Sequence, residues 1–110
     1  MEENGTLREA LRELERKVTC KEKYFSRLLG ESMSLFERYF QLLSGKREEE
    51  IKVFRKALLE KCNEQGVPTE VSGGVLNLQD QLIVYDACLR YQLGKLVAQR
   101  VELEELFYVW

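Results

Sequence analysis

The chain has 110 residues, a formal net charge of −2, no histidine, three cysteines and a single proline. That length suits one domain, and 45% apolar with 33% charged residues excludes a disordered or membranous composition. A charge so near zero also excludes the global basic excess of most nucleic-acid binders.

The acidic start MEENGTLREA lacks the basic and apolar runs of a secretion signal. The sequon Asn4-Gly5-Thr6 is therefore expected to stay unmodified, and Glu2 excludes the myristoylation pattern. No run of 18 apolar residues exists, so no membrane span is expected. Cys20, Cys62 and Cys88 are odd in number and widely spaced. They read as reduced thiols in a cytoplasmic or nuclear protein.

A first helix is predicted over 7–43. Thr6 and Glu9 make a capping box, and only Gly30 interrupts the run before Ser44-Gly45. Its apolar residues repeat as a heptad. Position d takes Leu7, Leu14, Lys21, Leu28, Leu35 and Leu42, and position a takes Leu11, Val18, Phe25, Ser32 and Tyr39. Up to Val18 the stripe is a bare seam, which suits one partner helix. From Tyr24 it widens with Leu29, Met33, Phe36, Phe40 and Leu43, which suits a bundle.

A second helix is predicted over 46–64. Glu48, Glu49 and Glu50 favour its start, while Gly66 and Pro68 end it. Residues 65–77 are expected to be an irregular loop, since a hairpin of Thr69–Val71 with Val75–Leu76 is marginal on its own. The third helix, 78–107, starts at the N-cap Asn77. One of its faces carries Leu78, Leu82, Tyr85, Leu89, Leu93, Leu96 and Leu103. A second carries Ile83, Val84, Ala87, Cys88, Tyr91, Val97 and Val101, so this helix is expected to be the most buried. The fold class is all-α: a single domain over 1–110, three helices, and a bundle completed by oligomerisation.

Chemistry is expected to be absent. Without histidine there is no common general base, triad or metal ligand, and three scattered cysteines cannot complete a zinc site. Gly45-Lys46 and Gly94-Lys95 lack the glycine five residues earlier and the Ser or Thr that a phosphate loop needs. No catalytic residue, cofactor or metal is predicted, and the chain is read as a non-enzyme.

The seam Leu7, Leu11, Leu14, Val18 and Phe25 needs a cover. Helix three could supply it, but its face is broad and the seam is narrow. The expectation is therefore a second chain, as in a parallel dimer pairing Lys17 with Glu22 of the other copy. Leu106, Phe107, Val109 and Trp110 form a second expected surface. The sequence thus predicts a self-associating scaffold, adaptor or assembly subunit. Its partner is a second copy, with another helical protein as a further partner and no membrane contact. The alternative is a dimeric helical nucleic-acid binder. It would use Arg8, Arg12 and Arg16 with Lys46, Arg47, Lys52, Arg55 and Lys56, but glutamates interleave both sets.

Overall fold

The computed structural model describes residues 2–109, and the side chains of residues 5–108. Three helices account for nearly all of it: α1 Glu2–Ser44, α2 Glu48–Gln65 and α3 Leu78–Val109. A two-strand hairpin, β1 Glu70–Val71 and β2 Gly74–Val75, joins α2 to α3. The class is all-α, as the heptad and the caps imply.

The ends of the elements follow local chemistry. At the start of α3 the Asp80 amide donates to the Asn77 side-chain oxygen at 2.8 Å, the expected N-cap. Gly66 adopts the left-handed conformation after α2, and the Val67 amide reaches back to the Cys62 carbonyl at 2.8 Å. Val67 and Cys62 are both buried, so the helix end carries its own apolar contact.

Three local expectations are corrected. Helix α1 begins at Glu2 rather than after Thr6. Gly5 is a weak breaker, costing about 1 kcal/mol, and acidic Glu2 and Glu3 suit a helix start. Residue 46 does not begin α2: the α1–α2 turn places Lys46 at a left-handed position (φ 53), and the Arg47 amide closes onto the Leu42 carbonyl at 3.2 Å. As a result α2 starts at Glu48 and ends at Gln65. Residues 65–77 are not wholly irregular: Glu70 pairs with Val75 and Val71 with Gly74. Ser72 and Gly73 both have positive φ, the backbone of a tight hairpin turn whose twist matches its strands.

The chain forms two compact units, Leu28–Leu89 and a unit of Met1–Arg27 with Arg90–Trp110. In Leu28–Leu89, three helical segments surround the buried Leu28, Tyr39, Leu42, Leu58, Cys62, Leu82, Tyr85 and Leu89. Tyr39 stacks on Phe54 of α2 at 6.3 Å between ring centroids. The Gln81 side-chain amide donates to Cys62 Sγ at 3.1 Å and to the Pro68 carbonyl at 3.0 Å. Ser32, the polar a position, is fully buried and donates to Asp86 at 3.1 Å. A buried polar pair of this kind penalises a slipped helix register, because slippage leaves it unsatisfied.

Two broad faces are less covered than their composition implies. On α1, Met33, Phe40 and Leu43 are exposed, because α2 and α3 occupy the d and a rows beside them. On α3, Ile83, Ala87, Tyr91, Val97 and Val101 are exposed, while Val84 and Cys88 are half-buried. Leu82, Leu89, Leu96 and Leu103 of α3 are all buried and recur every seven residues, joined near its start by Leu78 and Tyr85.

Candidate functional site

The unit of Met1–Arg27 with Arg90–Trp110 consists of only two helical segments, the first part of α1 and the last part of α3. They run antiparallel. Leu11 and Val18 pack with Leu96 and Leu103 in one buried cluster, and Phe25 and Phe107 close against it. Two helices in contact bury one stripe each and leave the adjoining row to solvent. Accordingly the d residues Leu7 and Leu14 are 38% and 49% exposed, and Leu106 on α3 is 40% exposed.

This corrects the expected cover of the seam. Its a residues Leu11, Val18 and Phe25 are packed by α3 of the same chain, and only Leu7 and Leu14 are left over. The signal that identifies α3 as the cover is present in the sequence: the seven-residue spacing of Leu82, Leu89, Leu96 and Leu103 matches the a row of α1. Of the second expected surface, Phe107 packs against the Leu11 cluster and Leu106 lines the same groove as Leu14. The Val109 side chain and Trp110 lie outside the described residues.

The register of the pair is pinned by ions. Arg100 donates to Glu22 across the helices at 2.8 Å and to Glu104 along α3 at 2.9 Å. These bonds, Glu104 first and Glu22 second, raise the guanidinium above its ordinary value. Glu22, the residue expected to pair with Lys17 of another copy, is thus engaged through Oε1 within its own chain.

Between the two helices lies a groove of 330 Å³. Val18 and Leu103 form its floor, Leu14, Lys17 and Lys21 its α1 wall, and Gln99, Glu102 and Leu106 its α3 wall. A neighbouring groove of 470 Å³ shares Lys21 and Gln99 and adds Tyr24, Phe25, Gln92, Lys95 and Leu96. The groove thus has an apolar floor with lysines on its α1 wall and an acid on its α3 wall. Of the polar wall residues only Lys17 is singled out from the sequence as a pairing residue, and with a different partner, Glu22; Gln99 and Glu102 are not, because a polar group on a helix face is usually just solvated.

Burial pushes the Cys62 thiol up, the Gln81 hydrogen bond opposes this, and Cys88 adds to it. Cys20 is exposed and Cys88 half-buried. Among the described residues, no group of three or more potential ligands is placed to hold a metal, and no helix is long and apolar enough to cross a membrane. The basic clusters stand beside carboxylates: Arg16 contacts Glu13 at 3.2 Å, Arg47 and Arg38 contact Glu50, and Lys52 contacts Glu49. No protein-family model matches this chain, and no curated protein or solved structure shows significant similarity to it.

Proposed function

We propose that the protein is a non-enzymatic, self-associating helical assembly subunit, a scaffold or adaptor, whose α1–α3 pair docks a second copy across its groove. The observation that carries this reading is the half-covered heptad. Leu11 and Val18 are buried, while Leu7, Leu14 and Leu106, one row away, stay exposed beside an apolar floor. An apolar row next to a formed core gains free energy when a further helix layer covers it. The adaptor side of the reading, docking of another helical protein, draws support from the second uncovered row on α1, where Met33 is 63% and Phe40 54% exposed.

The test is Leu14→Asp. A charge in that row opposes any helix laid over it but sits comfortably in water on the isolated chain. Light scattering should show the variant at the mass of one chain while its helical circular dichroism is retained. A variant that keeps the oligomeric mass of the unsubstituted chain refutes the groove as the contact.

A further inference from the structure

Resting on the reading that a second copy docks over the groove, the charges of its walls specify how that copy is oriented. A two-fold pair of such helix pairs can face each other in two ways. With the axis across the helices, each α1 lies over the other α1. With the axis along the helices, each α1 lies antiparallel over the other copy's α3, at the same height. The charged residues of the α1 wall are both lysines, Lys17 and Lys21, whereas that of the α3 wall is Glu102. Lys17, Lys21 and Glu102 are all exposed, and none has an ion-pair partner among the described residues. Lys95, further along α3, holds its ammonium over the Tyr91 ring at 5.4 Å.

We propose that two copies pair about an axis along the helices, so that Lys17 and Lys21 of each meet Glu102 of the other in an all-antiparallel four-helix bundle. Facing α1 with α1 sets lysines against lysines, and like charges brought together at an interface oppose association. The parallel α1–α1 coiled coil is closed off separately, since α3 already covers Leu11 and Val18 and Arg100 already holds Glu22. The chosen arrangement also gives the polar d residue Lys21 an acid to reach.

The experiment uses the full chain with Lys17→Glu and Lys21→Glu together, a second chain with Glu102→Lys, and a third with all three changes. Sedimentation equilibrium at low salt reads the masses, and circular dichroism checks folding. All three positions are exposed, so the fold should survive each change. Each of the first two variants alone should bind itself about tenfold or more weakly than the unsubstituted chain. Mixed together they should form a heterodimer, and the triple variant should recover self-association. First and second variants that dimerise as tightly as the unsubstituted chain overturn the arrangement and leave the self-association reading standing. An unsubstituted chain that is monomeric at every concentration overturns both.

Discussion

Leu11 and Leu14 are three residues apart on α1, yet one should stabilise the chain and the other its dimer. Leu11 is 7% exposed, packed within its own chain. Leu11→Ala should therefore cost about 2–5 kcal/mol of folding stability, the usual range for truncating a buried leucine. Leu14 is half exposed, so about half of its burial free energy remains to be gained on docking. Full burial of such a side chain is worth about 1.5–3 kcal/mol, which leaves about 0.7–1.5 kcal/mol per chain, counted twice in a two-fold dimer. Leu14→Ala should then weaken the dimer by about 10- to 100-fold, at roughly 1.4 kcal/mol per factor of ten. Urea unfolding at a concentration that holds the chain monomeric reads the first quantity, and sedimentation equilibrium over a dilution series reads the second. The reasoning is refuted if the two substitutions destabilise the isolated chain equally, or if Leu14→Ala leaves the dissociation constant unchanged.

Other outcomes follow from the same geometry. Lys46→Gly relieves a left-handed lysine at the α1–α2 turn and should raise stability by about 0.5–1 kcal/mol, seen as an increase in Tm of a few degrees; a lower Tm contradicts the turn geometry. Cys20 should react first with a thiol reagent and Cys62 last. Because the folded Cys62 thiol is raised, its contribution to stability is complete below the ordinary thiol range and is lost as pH rises through the raised value. Subtracting the alkaline stability profile of Cys62→Ala from that of the unsubstituted chain should isolate that loss, and identical slopes argue against it. Duplex RNA and DNA should bind more weakly than micromolar at physiological salt, since Arg16, Arg38 and Arg47 stand beside glutamates and the net charge is −2. A tighter complex weakened by substitution of Arg8, Arg12 or Arg16 would favour the nucleic-acid reading.

What the sequence tells about the fold is mostly local. Asn77 and Gly66 mark helix ends because their signals act within four residues, and the heptad of α1 marks which of its residues face another helix. The hairpin is visible in the sequence but set aside as marginal, because two-residue strands carry little signal of their own. Its determinant is the positive φ at Ser72-Gly73, a conformation that serine does not advertise. The cover of the seam is a non-local question. A heptad on α1 states that a helix lies against it but not which one, and the answer sits some seventy residues away in the spacing of Leu82, Leu89, Leu96 and Leu103. The exposed rows on α1 and α3 are misread as buried for a related reason. Apolar composition reports what a helix is able to bury, whereas burial depends on how many neighbours the chain supplies. Glu102 gains meaning only once α1 and α3 are set side by side, which also places it opposite Lys17 and Lys21.

The central claim, that the half-covered α1–α3 pair is completed by a second copy, is tested most directly by the solution mass of the unsubstituted chain. Light scattering across a concentration series is predicted to approach twice the 13.0 kDa chain mass as concentration rises, and to fall toward one chain on dilution. A constant mass of one chain at every concentration contradicts the account.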